Sequence, residues 1–319
     1  MSHDIIVIGA SAGGVDVLLG VIGELPASLP ASMFVVLHTA ASHVSLLPDL
    51  LNQRGALPAS HPLHNERIRP GQVYVAPPDN HLLVRDGFME IVRGAKENGH
   101  RPAVDALFRT AAAAYGPRVI GVVLSGYQDC GTAGMLSIKA RGGVAVVQTP
   151  ETALAPSMPQ SVLDHVTVDH VAHPLELGAL LARLVGTQAA PEAKPNEPIR
   201  LMEEGGSDQR ADVVCPLCQG VLSEAQVGGF AHFRCHVGHA FSLDSLMRAQ
   251  SEEVERALWA AMRALEEGAA VSRRMCSASD SELRRRFAEK AKTQAEYAER
   301  IREIVLHGSL LPHGPDPSE

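Results

Sequence analysis

The sequence predicts an α/β domain with a doubly wound, mostly parallel β-sheet and helices on both faces, followed by a small cysteine-bearing segment and a helical hairpin. Two observations predict the sheet. From residue 4 to about residue 185, short β-branched runs bounded by Gly or Pro alternate with Ala- and Leu-rich stretches of helical length. The runs also lack polar alternation, which is typical of strands buried on both faces.

Strand-like and helix-like stretches follow one another along this part of the chain. The predicted strands are Ile5–Ile8, Met33–Leu37, Gln72–Ala76, Val119–Leu124 and Val144–Val147. The predicted helices are Val15–Ile22, Val44–Gln53, Ala103–Ala114 and Gly131–Arg141. Two further runs, His81–Arg85 and Phe88–Val92, flank Asp86-Gly87 and predict a β-hairpin at an edge of the sheet.

Four segments are expected along the chain. They are the sheet domain at 1–187, a linker at 188–212, a cysteine-bearing module at 213–241 and a helical tail at 242–319. The linker carries Pro, Gly and charge without periodicity. In the tail, apolar residues keep helical spacing on both sides of a break near Ser277–Ser281, which predicts two helices folded back as a hairpin.

Composition excludes several classes of protein. A chain of 319 residues with 45% hydrophobic residues can bury a core, so it is not intrinsically disordered. A formal net charge of −8 argues against a dedicated nucleic-acid binder, which has a basic excess. No apolar run approaches the ~20 residues that span a bilayer, and the start of the chain lacks a signal peptide's basic region. We therefore expect a cytoplasmic protein without membrane insertion.

A serine follows the first predicted strand in Gly9-Ala10-Ser11-Ala12-Gly13-Gly14, just before a predicted helix. This G-x-S-x-G pattern at a strand-to-helix turn is typical of a nucleophilic serine, whose hydroxyl stands above the carboxyl edge of the sheet. The backbone N–H of Ala12, the residue after the nucleophile, is the natural oxyanion donor. The same residues also suit a nucleotide-phosphate loop or a plain helix cap, although the glycine spacing fits neither known phosphate motif.

A serine nucleophile needs a base, and His38 ends the second predicted strand. If the two strands are neighbours, Ser11 and His38 share one rim of the sheet. The alternative bases are His43, His61, His64, His81 and His100. A third group would orient the imidazole, and the glycine-rich loop after strand Val119–Leu124 contains one acid, Asp129.

Five motifs stand in a recognisable order. They are G-A-S-A-G-G at 9–14, V-V-L-H at 35–38, R-P-A-V-D-A-L-F-R at 101–109, L-S-G-Y-Q-D-C-G-T-A-G at 124–134 and P-S-M-P-Q-S-V at 156–162. Together they resemble the catalytic domain of CheB, the protein-glutamate methylesterase of bacterial chemotaxis, over roughly residues 4–185. The resemblance implies hydrolysis of glutamyl methyl esters on chemoreceptor helices, and glutamine deamidation as a second activity. It implies Ser11 as nucleophile, His38 as general base and no cofactor in catalysis.

Two departures from the family pattern stand out. The chain begins at the first esterase strand, so we expect no phospho-receiver domain before it. In addition, the family's catalytic aspartate immediately precedes a glycine, where this chain has Cys130, with Asp129 one residue earlier. A neutral thiol is a poor substitute for a carboxylate beside an imidazolium. Either Asp129 replaces the missing acid or the esterase is impaired, and an impaired fold would act as a binding or regulatory module.

The resemblance also places three residues along the cleft. Met158 and Gln160 match a segment that lines it, where the family often has Arg in place of Gln160. Tyr127 stands where the family often has Met. Asp105 could pair with Arg101 or cap its own helix, and we expect it to be structural.

The cysteine-bearing module has metal-ligand spacing. Cys215, Cys218, Cys235 and His239 form C-x2-C-x16-C-x3-H, which favours a closed tetrahedral Zn²⁺ site that stabilises a small fold. His236 is the alternative fourth ligand, and a redox C-x-x-C is the alternative for the first pair. The run also resembles zinc-bearing tails of some CheB-like esterases. We expect the helical tail to dock a signalling partner or a second copy.

Overall fold

The computed structural model describes residues 2–41, 44–189, 191, 209–227, 229–278 and 281–307. Two compact units divide the chain, Met1–Leu246 and Met247–Glu319. Most of the predicted linker lies outside the described residues. None of the helices in the described ranges is long and apolar enough to cross a membrane.

A seven-stranded, entirely parallel sheet forms the centre of the first unit, in the order β3-β4-β2-β1-β7-β8-β9. This confirms the predicted doubly wound sheet. The strands are β1 Ile5–Ala10, β2 Ser32–Leu37, β3 Ala59–Ser60, β4 Val73–Val75, β7 Val119–Val123, β8 Val144–Gln148 and β9 His170–Ala172. β3 and β9 were not predicted, because two or three residues carry too little pattern.

Six helices cover the two faces of this sheet. They are α1 Gly14–Glu24, α2 Leu47–Arg54, α3 Val104–Tyr115, α4 Thr132–Ala140, α5 Ser157–His165 and α6 Pro174–Leu184. Alternate residues of β1 enter opposite cores: Ile6 and Ile8 pack with α1, α2 and α6, whereas Ile5 and Val7 pack with α3, α4 and α5. This is why the strand is apolar along its whole length.

The predicted hairpin consists of β5 His81–Arg85 and β6 Phe88–Val92. The expectation that it lies at an edge of the main sheet is wrong, because the two strands form a separate two-stranded sheet. The hairpin packs on α3, where the Val84 N–H donates to Thr110 Oγ1 at 3.1 Å. The N–H of Val84 is therefore bonded to a helix side chain, whereas in a hairpin at the edge of the main sheet it would bond to a neighbouring strand.

A second, antiparallel sheet follows the linker. Its order is β10-β11-β12-β13, with β10 Gln209–Val214, β11 Val221–Val227, β12 Phe230–Cys235 and β13 Ala240–Ser242. We call these strands and their turns the cysteine sheet. It belongs to the same compact unit as the parallel sheet.

The second unit is a helical hairpin. Helix α7, Leu243–Ala278, begins in the first unit and continues through the second, and α8 is Ser281–His307. The break between them matches the one predicted near Ser277–Ser281. Within the second unit, Ser272 Oγ donates to Gln294 Oε1 at 3.1 Å, and Glu266 pairs with Arg302. Small buried residues such as Ala269 and Ala298 let the two helices approach closely.

We predict that Gly9→Ala lowers the free energy of unfolding by ~1–3 kcal/mol, because overpacking a core has about that effect. A Cβ at position 9 would overlap Cγ1 of Val104, in the first turn of α3. The matched control is Gly20→Ala in α1, where a Cβ meets no atom within 4 Å and should stabilise the helix by ~0.5–1 kcal/mol. Urea unfolding measures both. Equal effects of the two variants would contradict close packing of β1 on α3.

Candidate active site

The candidate site lies where β1, β2 and β7 end at the carboxyl edge of the parallel sheet. The register pairs Ala10 with Leu37, so the next residues, Ser11 and His38, leave neighbouring strands side by side. The His38 N–H donates to the Ala10 carbonyl at 3.0 Å, which continues the ladder by one residue. The predicted convergence of Ser11 and His38 on one rim is thus a consequence of strand order.

Ser11 occupies a tight turn between β1 and α1. Its N–H donates to the Ser125 carbonyl at 2.9 Å, and its own carbonyl accepts from Gly14 N–H at 3.0 Å. Gly13 has φ +75°, a left-handed conformation that favours glycine. Ser125 is a functional residue that no sequence pattern indicates, and its hydroxyl donates to the Ala12 carbonyl at 2.6 Å. These bonds hold the turn that presents Ser11 at the start of α1.

The loop after β7 packs directly on this turn. A Cβ at Gly126 would overlap Met158 Sδ and lie 2.8 Å from Ser11 Cβ, so only glycine fits between them. Met158 is fully buried, and its N–H donates to the Gly126 carbonyl at 2.9 Å. Tyr127 is 57% exposed beside them. Of the predicted cleft residues, Gln160 is the one turned along its own helix, where its side-chain amide donates to Asp164 Oδ1 at 2.7 Å.

The ring of His38 stacks on another histidine and makes no hydrogen bond to any carboxylate that the structure describes. Its ring lies 3.7 Å from that of His100, with planes 8° apart. Both ring nitrogens of His38 are buried and have no hydrogen-bond partner within the described part of the chain. Burial, and secondly the charge of His100, lower the pKa of His38 well below its usual value. The imidazole is therefore neutral near pH 7, able to accept a proton but a weak base.

The other candidate bases have different surroundings. His61, His64 and His81 each place a ring nitrogen within 3.1 Å of a backbone carbonyl, at Val75, Ile91 and Ala95 respectively. Such contacts are typical of structural histidines. His43 lies outside the described residues. The one remaining candidate, His100, contacts His38.

Cys130 is completely buried in the loop before α4, against the first turn of α3. Its thiol receives backbone hydrogen bonds from Asp105 and Val104, but burial dominates and raises the pKa of Cys130 well above its usual value, with Asp105 adding to the rise. The thiol is therefore neutral at physiological pH. A carboxylate in its place would meet the same two backbone donors at a helix N-terminus, which favours negative charge.

Asp129 is buried, 5% exposed, and its Oδ1 has no hydrogen-bond partner among the residues described. Burial raises the pKa of Asp129 to about 6, opposed by a hydrogen bond with Ser242 of the cysteine sheet and increased by Asp105 and Asp244. Both ring nitrogens of His38 also lack a hydrogen-bond partner among the described residues, so the Asp129 carboxyl does not hydrogen-bond to His38.

The four predicted metal ligands converge in the cysteine sheet. The donor atoms of Cys215, Cys218, Cys235 and His239 all lie within 4.8 Å of one another. Cys218 Sγ is 3.6 Å from Cys235 Sγ, and Cys215 Sγ is 3.6 Å from His239 Nδ1. Sulfurs bound at ~2.3 Å around tetrahedral zinc lie about 3.8 Å apart, so this group could hold such an ion. His236 is not a member of the group.

Comparison with known proteins identifies the parallel-sheet domain. The family model described as CheB methylesterase matches residues 6–181. A Leptospira interrogans relative is 35% identical over 185 residues, which cover 58% of this chain and 96% of the relative. A relative from Xanthomonas oryzae pv. oryzae named protein-glutamate methylesterase/protein-glutamine glutaminase is 32% identical, covering 57% of this chain and 52% of the relative.

A solved structure agrees with these relatives. The crystal structure of the Thermotoga maritima CheB methylesterase catalytic domain is 33% identical to the chain, with a TM-score of 0.56. The match covers 58% of this chain and all of that one. The fold expected from the ordered motifs is thereby confirmed.

We predict that Asp129→Asn stabilises the protein at neutral pH but not in acid. The raised pKa means that the folded state holds the Asp129 proton more tightly than the unfolded state, so stability falls as pH rises from about 4 to about 6. A two-unit shift corresponds to ~3 kcal/mol as an upper bound. The side-chain amide of the variant does not ionise, so the variant does not lose this stability as the pH rises. Urea unfolding of both proteins from pH 4 to pH 8 measures it, and a pH-independent difference between them would contradict it.

Proposed function

Because the chain belongs to the CheB methylesterase family, we propose that it is a protein-glutamate methylesterase that hydrolyses glutamyl methyl esters on chemoreceptor-like helices. Deamidation of glutamine is its second activity, as the names of its relatives suggest. The observation that carries the proposal is the side-by-side exit of Ser11 and His38 from neighbouring strands. The protein acts in the cytoplasm and has no nucleic-acid partner.

The proposed reaction uses the residues of this chain alone. Ser11 Oγ attacks the ester carbonyl while His38 takes its proton, and the N–H of Ala12 donates to the developing oxyanion. His38 then protonates the departing methoxide, which leaves as methanol. Water, deprotonated by the same imidazole, hydrolyses the acyl-enzyme and regenerates Ser11. Tyr127 lines the cleft next to the ester, and the fully buried Met158 supports the cleft from within by packing on Gly126.

We propose that this hydrolysis is slow, because the imidazolium formed during attack lacks a carboxylate partner. Cys130 is neutral, and Asp129 makes no hydrogen bond to His38. Loss of the corresponding interaction in a serine protease reduces kcat by about 10⁴. The second candidate function, a binding module for methylated helices without turnover, is favoured by the same two observations.

We further propose that Cys215, Cys218, Cys235 and His239 hold a structural Zn²⁺. Four protein ligands leave no open position for substrate, so the ion would order the cysteine sheet and take no part in ester hydrolysis. The helical hairpin remains the proposed surface for a signalling partner or a second copy.

One prediction of the proposed function concerns the metal. The purified protein should contain about one zinc per chain, and Cys215→Ser or Cys235→Ser should lose most of it, because each removes one of four ligands. Cys276→Ser is the matched control, since Cys276 lies in α7 and its thiol donates to the Arg284 carbonyl at 3.4 Å. Elemental analysis by mass spectrometry measures the ratio. Zinc retained by the two ligand variants, or lost from the control, would disprove the assignment.

Another prediction of the proposed function concerns turnover. Methanol release from a methylated receptor-helix substrate should be slow in the wild type, absent in Ser11→Ala and at least ~10-fold faster in Cys130→Asp, because a carboxylate restores the missing partner. Cys130→Asn is the matched control, with similar shape and no charge, and thermal melting checks that each variant is folded.

Each alternative has its own result in this experiment. Release that persists in Ser11→Ala would exclude Ser11 as the nucleophile. A silent wild type with an active Cys130→Asp would favour the binding-module function. Fast wild-type turnover with no gain in Cys130→Asp would mean that the imidazolium needs no carboxylate at position 130.

A further inference from the structure

The cysteine sheet contacts the domain that carries Ser11 through a segment just before α3. Residues 96–98 run beside β13: Asn98 N–H donates to the Ala240 carbonyl at 2.7 Å, and Ala240 N–H donates to the Lys96 carbonyl at 3.2 Å. Glu97 and Ala240 form a parallel bridge. This short segment therefore adds a strand to the open edge of the cysteine sheet.

A buried ion cluster fixes the same segment. Glu97 binds Arg109 of α3 through two hydrogen bonds of 3.0 and 2.7 Å, and Arg234 of β12 lies 3.7 Å from the same carboxylate. Burial opposes ionisation of Glu97, but the two guanidinium groups prevail and hold its pKa well below the usual range. The carboxylate is thus shared between α3 and the cysteine sheet.

A chain of buried side-chain hydrogen bonds then leads toward Ser11, and we call it the Asn98 relay. Asn98 Oδ1 accepts from the Ser242 N–H and from Ser245 Oγ, each at 2.9 Å. Asn98 Nδ2 donates to Asp105 Oδ2 at 2.9 Å. Asp105 is 1% exposed and Asn98 5% exposed, so these bonds are shielded from water.

The relay ends on the loop that holds the Ser11 turn. Asp105 Oδ1 accepts from the N–H groups of Gly131 and Gly134, at 3.0 and 2.7 Å. Pairing of Asp105 with Arg101, one of the two roles that the sequence left open, is not observed among the described residues, where Arg101 binds Asp79 at 2.6 Å. The other end of this loop is Ser125, whose carbonyl and hydroxyl fix Ser11 and Ala12. The Ser242 side chain also lies close to Asp129 of this loop and lowers the pKa of that carboxyl.

We propose that the cysteine sheet is a working part of the esterase site, and that Asn98 and Ser242 are positioning residues that hold the 125–134 loop against the Ser11 turn. The proposal rests on the proposed esterase function for its kinetic consequence. Its structural consequence, a loop ordered by the cysteine sheet, is independent of turnover. The metal that orders the cysteine sheet would thus support the reaction without touching the substrate.

Two variants interrupt the relay at different points. Asn98→Asp keeps the side-chain oxygen that accepts from Ser242 and Ser245, but it replaces the amide that donates to Asp105 with a carboxylate oxygen. Aspartate also tolerates the φ of +51° at this position. Ser242→Ala keeps the N–H that donates to Asn98 but removes the hydroxyl that donates to Ser245 Oγ at 3.0 Å, one bond before Asn98, and Ser242→Thr restores this hydroxyl. Val221→Thr, at a 38% exposed position of β11, is the matched control in the cysteine sheet.

Hydrogen exchange measured by mass spectrometry on the full chain reads out the structural consequence. We expect exchange of the 131–134 amides to accelerate at least ~10-fold in Asn98→Asp and Ser242→Ala, with unchanged zinc content and no change in Val221→Thr. Removal of zinc with a chelator should accelerate the same amides. Unchanged exchange in both relay variants would overturn the proposal, whether or not the wild type is an esterase.

Kinetics separate positioning from a merely structural role. The rate at which a fluorophosphonate labels Ser11, and kcat for methanol release, should fall ~10-fold in Asn98→Asp and Ser242→Ala while KM stays within about twofold. Ser242→Thr should recover most of the loss. A rise in kcat or in labelling would overturn the proposal in favour of a restraining contact, and so would a loss confined to KM.

Discussion

The parallel pairing of β1 with β2 on one side and β7 on the other is the constraint on which the site depends. From β1 the chain first builds β2, β3 and β4 toward one edge, and only then crosses to β7 and the other edge. In doubly wound sheets this reversal opens a crevice at the carboxyl ends of the strands. Ser11, His38 and the 125–134 loop follow the three strands that flank the reversal. Their arrival at the same rim is a consequence of strand order.

The surroundings of His38 explain why acid–base chemistry here would be weak. Burial and the neighbouring His100 ring both disfavour the imidazolium, and each lost pKa unit corresponds to ~1.4 kcal/mol. This energy is absent from the ground state, where the ring is neutral, and appears when the serine proton is transferred. It therefore bears on kcat rather than on substrate binding. In the proposed mechanism a carboxylate at position 130 would offset it, and the N–H groups of Val104 and Asp105 would donate to this carboxylate, while burial and the Asp105 carboxyl oppose its ionisation.

The local features of this fold were readable from sequence, and the long-range polar ones were not. Continuous apolar runs predicted β2, β7 and β8 to within one residue and β1 to within two, and a polar residue at a strand end pointed to His38. The Cys and His spacing predicted which donors converge. Nothing in the pattern around Asn98 indicates Ser242, because the two residues are 144 positions apart and hydrogen bonds of single side chains leave no periodicity. The stacking of His100 on His38 was invisible for the same reason.

The contacts of the cysteine sheet divide into two kinds with different consequences. Phe230 packs beside Ala133 in a small apolar cluster, a contact that is favourable over a range of positions because dispersion and burial are not directional. The bridge at Ala240 and the Asn98 relay are directional, and a slip of one residue would leave buried polar groups without partners at ~1–3 kcal/mol each. Apolar packing therefore favours association of the two sheets, whereas the polar contacts select one register. Only a selected register can hold Gly131 and Gly134 in place, which is what a turn carrying a nucleophile requires.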